Sequence, residues 1–141
     1  MGILKSIKNF VTGGAAEVSL EFENRILNDS QPLRIKLTAT AKDETVIIDK
    51  VYVNVAAMEK SANTKKMYAD QKFLDDQVQL NAGESKTWDV QFEIPSTAPA
   101  TFIGKHSSLK WQAKGGLEMS GVDPKSDTEL FVVNRAAVYQ I

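Results

Sequence analysis

The chain has 141 residues, which suits one domain with a single hydrophobic core, and it contains no cysteine. The lack of cysteine excludes disulfides, thiolate metal sites and thiol nucleophiles, and it suits a reducing compartment such as the cytoplasm. With 17 basic and 18 acidic residues the formal net charge is −1, so no overall positive field favours nucleic acid. No apolar run approaches the ~20 residues that a membrane-spanning helix needs.

The first 14 residues form an amphipathic leader. Before Gly13-Gly14 ends the pattern, five apolar residues recur at helical spacing. They are Ile3, Leu4, Ile7, Phe10 and Val11. The pattern predicts a short helix that packs on its own domain or stays partly disordered, or else docks to a partner or a membrane surface. So short a basic helix binds lipid only weakly by itself.

From residue 15 the chain becomes a series of short alternating runs. Residues 18–22 and 33–39 alternate apolar and polar side chains on either side of a turn at 28–32, which predicts two strands with one wet face each. A more strongly strand-like run covers residues 46–55. Residues 56–72 are polar and of mixed charge, and they are compatible with a loop, a short helix or ragged strands.

The second half continues the same pattern. The turn 81–84 contains Gly83 and precedes alternation over residues 87–94, which predicts a hairpin. Pro95 and Pro99 end that strand. Further strands are predicted at Leu109–Ala113, before a break at Gly115-Gly116, and at residues 130–133.

The segment FIGKHSS, residues 102–108, invites comparison with a phosphate-binding loop. That loop needs an earlier glycine and a hydroxyl after the lysine, but Pro99 and His106 occupy these places. Strand periodicity follows where the loop should open a helix. The comparison therefore excludes a nucleotide site of this type.

Seven or eight short strands with regular turns predict an all-β fold. The expected architecture is a two-sheet antiparallel sandwich with a possible short N-terminal helix. Residues 1–14 would be the leader, and residues 15–141 a single sandwich domain.

The order of these signals resembles arrestin-like, immunoglobulin-like β-sandwich domains, in particular the bacterial sporulation-control (SpoOM-type) proteins. The matching segments, within about residues 17 to 133, are VSLEFEN, RIKLTATA, IDKVYVNV, NAGESKTWDVQFEIPSTAPATF, SSLKWQAKGGLEM and TELFVV. Gly83, Ile94-Pro95, Pro99 and Trp111 occupy the turn, proline and aromatic places of that family. The resemblance implies that FIGKHSS is the crossing between the two sheets. Relatives usually carry two such sandwiches in tandem.

No residue pattern indicates catalysis, so the chain is expected to be no enzyme and to use no cofactor or metal. His106 is the only histidine and is predicted to lie exposed in a loop. Asp75-Asp76 is predicted to be a solvated turn or edge, and Asp123 to Asp127 an ordinary turn. Trp88 and Trp111 lie in phase with aliphatic neighbours, which favours the core over a sugar-stacking surface.

The resemblance implies a non-enzymatic, cytoplasmic protein-interaction module, regulatory in a bacterial stress or sporulation-type pathway. A partner would add a strand to an exposed sheet edge or dock on the leader and the 56–72 loop. The candidate docking residues are Ile3, Leu4, Ile7, Phe10, Lys60, Lys65 and Lys66.

Two further possibilities concern oligomers and the alternative function. The apolar tail 136–139 predicts that two copies pair as a homodimer. The alternative function is an extracellular adhesion or carbohydrate-binding sandwich with a surface tryptophan.

Overall fold

The computed structural model describes residues 15–29, 31–121 and 123–135, and these residues form strands and turns with no helix. The strands are β1 (Ala16–Phe22), β2 (Ile26–Leu27), β3 (Leu33–Ala41), β4 (Val46–Lys60), β5 (Thr64–Leu80), β6 (Ser85–Phe92), β7 (Phe102–Ile103), β8 (Ser108–Glu118) and β9 (Glu129–Val133). The helix predicted in the leader and the tail 136–139 lie outside the described residues.

Two sheets pack face to face. The small sheet has the antiparallel order β1-β3-β6, and the large sheet has the order β2-β9-β8-β4-β5, with β7 also paired to β8. The predicted all-β, two-sheet antiparallel sandwich is confirmed. One pairing departs from it, because β2 runs parallel to β9 with Ile26 opposite Val132.

The alternating side chains of both sheets meet in one core. In the small sheet Leu20, Leu37 and Trp88 lie in one cross-strand row. From the large sheet Trp111 is fully buried, and its ring centroid lies 5.2 Å from that of Tyr68. Trp88 is partly buried and packs against the same core. The core prediction for both tryptophans is therefore confirmed.

The break predicted at Gly115-Gly116 is wrong, because β8 continues through both glycines to Glu118. They mark close packing: a Cβ added at Gly115 would lie 2.8 Å from Leu37 Cδ1, and one at Gly116 would lie 2.2 Å from the Tyr52 hydroxyl. The following turn also docks on β8, since the buried Ser126 hydroxyl accepts a hydrogen bond from the Gly115 N–H at 2.8 Å.

Residues 56–72 form a β-hairpin, so of the three structures that the sequence left open the strands are correct and the docking surface expected there is no loop. They comprise the end of β4, a turn at 61–63 and the start of β5. Two register shifts leave Met67 and Leu74 as extra residues on β5. An edge strand that is mostly exposed on both faces and bulged shows no regular alternation, which is why its sequence does not resemble a strand.

The crossing between the sheets lies earlier than the resemblance implied. Residues 93–101 connect β6 of the small sheet to β7 of the large sheet. FIGKHSS instead forms a hairpin within the large sheet, where Phe102 pairs with Leu109 and the Gly104 N–H donates to the Ser107 carbonyl at 2.7 Å. Trp111 fixes the true crossing, because its indole N–H donates to the Pro99 carbonyl at 2.9 Å.

Candidate functional site

The outer edge of β1 offers backbone groups for strand pairing. At the two ends of the β1–β3 ladder, Glu23 N–H donates to the Arg34 carbonyl and Lys42 N–H donates to the Ala15 carbonyl. Because antiparallel bonding alternates along a strand, odd-numbered residues of β1 bond to β3 and even-numbered residues direct their N–H and C=O outward. Within the described residues, β3 is the only strand paired with β1. Four residues, Ala16, Val18, Leu20 and Phe22, therefore present an edge for a further strand.

The opposite side of the sandwich is bridged by side chains. Lys72 on β5 donates to the Gln91 carbonyl of β6 at 2.6 Å, and its ammonium lies 5.3 Å from the centroid of the Phe92 ring. Asp75 of β5 accepts the Trp88 indole N–H at 2.9 Å. Lysines and bulges on an edge strand also oppose pairing with other chains. The edges of β5 and β6 are therefore less suited than the edge of β1 to pair with a further strand.

Asp75 is the electrostatic centre of this bridge. The Trp88 hydrogen bond is the main cause of the lowered pKa of its carboxyl, followed by the Asp76 backbone N–H at 2.8 Å. Lys86, 3.3 Å away, lowers that pKa further. The prediction that Asp75-Asp76 belongs to an edge is confirmed, and the lowered pKa of Asp75 follows first from the hydrogen bond to Trp88 in the other sheet.

The outer face of the small sheet carries charged residues that are mostly paired. Lys36 Nζ lies 2.9 Å from Asp89 Oδ1, a hydrogen bond that raises the pKa of Lys36. Arg34 forms an ion pair with Glu23 at 3.3 Å. Both residues line a shallow surface depression of about 410 Å³. Glu21, beside the free edge of β1, makes no ion pair with another described residue. Acidic character therefore remains next to the edge.

The three predicted docking lysines come together at the tip of the β4–β5 hairpin. Lys60 ends β4, while Lys65 and Lys66 begin β5, and all three are exposed. The register shift at Met67 puts Lys65 and Lys66 opposite Glu59 and Met58. The other predicted docking residues, Ile3, Leu4, Ile7 and Phe10, lie outside the described residues.

Residues with catalytic potential are dispersed. His106 lies exposed in the turn between β7 and β8, as predicted. No three histidine, aspartate or glutamate side chains of the described residues are grouped so that they could hold a metal ion. In the part of the chain that the structure describes, no helix has the length and hydropathy needed to cross a bilayer.

The match of the sequence to a family model decides the family. A model of the family described as SpoOM protein matches residues 4–140. The chain belongs to the SpoOM protein family. A comparison with curated protein sequences finds no significant match.

A solved SpoOM-family structure shares the fold. The crystal structure of Spo0M, a sporulation control protein from Bacillus subtilis, matches 88% of this chain with a TM-score of 0.71 and 14% sequence identity. The match covers 51% of the Bacillus subtilis chain, so the present chain spans about half the length of that relative. At this identity the likeness establishes the fold alone.

Sequence reasoning named the lysines and expected an exposed sheet edge, but it did not assign that edge to β1. Its alternating pattern is the same as that of β3, which is paired on both sides. Which strand is terminal depends on sheet order, a long-range property that local periodicity does not encode.

Proposed function

We propose that this SpoOM-family chain is a non-enzymatic, cytoplasmic protein-interaction module that regulates sporulation or a related bacterial stress response. The regulatory setting is carried by the family and by the description of the Bacillus subtilis relative as a sporulation control protein. The cytoplasmic setting is supported by the absence of cysteine.

The observation that carries the interaction role is the free edge of β1. A strand added there would gain main-chain hydrogen bonds with Val18, Leu20 and their even-numbered neighbours. Its inward side chains would extend the apolar row of β1, and its outward side chains would lie beside Ser19 and Glu21. The fitting partner segment is therefore extended, with apolar residues alternating with basic or hydroxyl-bearing ones.

A pair of substitutions at one position tests the use of this edge. Val18→Pro removes an outward N–H while keeping β1 paired to β3, and proline has nearly the bulk of valine. Val18→Ala loses more packing but keeps the N–H, so it controls for stability. Affinity capture from native lysate should retain partners on wild type and Val18→Ala and lose them on Val18→Pro. Partners held equally by both variants would show that the edge is not the binding surface.

Amide hydrogen exchange tests the same edge directly. In the free full-length chain, the amides of Val18, Leu20 and Phe22 should exchange much faster than those of Ser19 and Glu21. Addition of a captured partner should slow the fast set and leave the slow set unchanged. Slow exchange of the even-numbered amides in the free chain would contradict the proposal, because the edge would already be paired.

The alternative, an adhesion or carbohydrate-binding sandwich, required an exposed tryptophan. Trp111 is fully buried and Trp88 is packed against the core with its N–H bonded to Asp75. The ammonium of Lys86 also lies 5.3 Å from the centroid of the Trp88 ring. The sequence feature that motivated the alternative, a tryptophan displayed on the surface, therefore no longer supports it.

A further inference from the structure

Two hairpin tips lie side by side at one end of the large sheet. The β4–β5 hairpin turns at residues 61–63, and the β7–β8 hairpin turns at residues 104–107. They are neighbours because Lys60 of β4 lies opposite Ser108 of β8. We name residues 59–67 and 102–110 together the double tip.

The double tip projects beyond the small sheet. Gly115 packs on Leu37 and pairs with Val53, so these two residues lie at about the same height in the two sheets. From there β3 extends four residues to Leu33, whereas β4 extends seven to Lys60. At about 3.3 Å per residue the double tip lies about 10 Å farther out.

Apolar side chains are exposed on the double tip. Ile103 is 76% exposed, more than any other large hydrophobic residue that the structure describes, and Phe102 and Met67 are 43% and 42% exposed. The hairpin ladder holds Ile103, and the shift in register places Met67 as an extra residue on β5. These exposed side chains are therefore held by paired strands at the end of the large sheet.

The double tip is also strongly basic. It contains five lysines and one glutamate, although the whole chain has a net charge of −1. The lysines are Lys60, Lys65, Lys66, Lys105 and Lys110, and none pairs with a carboxylate of the described residues. The described residues of the turns at the opposite end, 42–45, 81–84, 119–121 and 123–128, contain two lysines and five acidic residues. Positive charge is therefore concentrated at the double tip and negative charge at the opposite end of the strands.

We propose that the double tip docks on an anionic membrane surface, with Ile103 and Phe102 entering the interface and the lysines contacting lipid headgroups. Protruding apolar side chains need no matching pocket in a bilayer, and flanking cations gain from its negative potential. Nucleic acid fits less well, because the double tip contains no arginine, whose planar guanidinium matches phosphate oxygens bidentately. This surface is separate from the β1 edge, so the two proposals fail independently.

The absence of native cysteine allows a site-specific test in the full chain. Ile103→Cys and the control Ile47→Cys each accept one environment-sensitive fluorophore, and Ile47 is 51% exposed near the other end of the same sheet. With vesicles containing 30% phosphatidylglycerol, emission should rise several-fold and shift to the blue at position 103 and stay constant at position 47. An equal response at both positions, or none at position 103, would overturn the proposal.

Charge substitutions separate the double tip from the leader. Replacing Lys60, Lys65 and Lys66 by glutamine should weaken binding to these vesicles roughly 100-fold, from about 1 kcal/mol per lysine at an anionic surface. Lys60→Gln alone should weaken it roughly 5-fold, whereas Lys125→Gln at the opposite end should change it little. If Ile7→Asp in the leader abolished vesicle binding while the triple lysine variant bound normally, the membrane contact would belong to the leader and the proposal would be overturned. Binding of soluble polyglutamate without vesicle binding would replace lipid by an acidic protein segment.

Discussion

The close contact between Tyr52 and Gly116 gives a sharp test of the packing in the large sheet. Tyr52 is only 8% exposed although it lies on β4 opposite Gly116, because its ring covers that glycine. The ring also packs edge-on against Phe73 with centroids 6.3 Å apart. An alanine Cβ at position 116 would lie 2.3 Å from the ring carbon bearing the hydroxyl. Gly116→Ala must therefore displace the whole ring.

The cost follows from the surface that the displaced ring exposes. If about 100 Å² of the roughly 200 Å² that a tyrosine buries returns to water, the loss is about 2.5 kcal/mol. Alanine lowers the entropy cost of folding relative to glycine by about 0.7 kcal/mol. The net destabilisation is about 2 kcal/mol, which corresponds to a fall in Tm of roughly 4–8 °C.

A double-mutant cycle isolates this contact. In the Tyr52→Ala background the obstacle is gone, so Gly116→Ala should stabilise the protein by about 0.7 kcal/mol, giving a coupling energy of about 2.5 kcal/mol. Urea unfolding followed by the intrinsic fluorescence of Trp88 and Trp111, both packed in the core, measures each variant. Equal costs of Gly116→Ala in both backgrounds would refute the reasoning, because they would place the strain in the backbone of β8.

Two further predictions concern the β5–β6 side. The carboxyl of Asp75 has a lowered pKa in the folded state, so its contribution to stability is present above the unfolded pKa near 4 and is lost as pH falls through the folded value. Trp88→Phe removes the principal donor, so urea midpoints measured between pH 2.5 and 6 should fall less steeply with acid than in wild type; an unchanged slope would contradict the assignment. Gly83 in the β5–β6 turn has φ +80° with no atom within 4 Å of an added Cβ. Gly83→Ala should therefore cost about 1 kcal/mol of stability from backbone strain alone, and Gly83→Asn should cost less, because asparagine tolerates a positive φ better. Thermal unfolding measures both variants, and a larger cost for asparagine would indicate a steric cause.

Local pattern predicted the strands that have one wet face. β1 and β3 were found because burial on one side imposes strict alternation on their residues. The start of β5 escaped detection because it is an edge strand with mostly exposed side chains. The continuation of β8 through two glycines escaped because the cause lies in Tyr52, Leu37 and Leu20 on three other strands.

In the candidate sites, too, some features follow from local sequence and others depend on pairing between distant strands. Composition placed Lys60, Lys65 and Lys66 in a solvated stretch of mixed charge, and the hairpin explains why these three lysines are close together. Their proximity to Ile103 could not be foreseen, because it depends on the pairing of β4 with β8. The free edge of β1 required the sheet order for the same reason.

The short parallel pair β2–β9 has a consequence for how the protein is made. Arg25 donates to the Leu130 carbonyl, and these residues lie 105 positions apart in the chain. On a ribosome β2 must wait without its partner until β9, near the end of the described residues, has been synthesised. Because loop-closure entropy grows with the length of the span, this contact should form after the pairings between strands that are closer in the chain. Nascent chains arrested before residue 129 should therefore expose Leu27, a site where a chaperone or a protease could act on the unfinished protein.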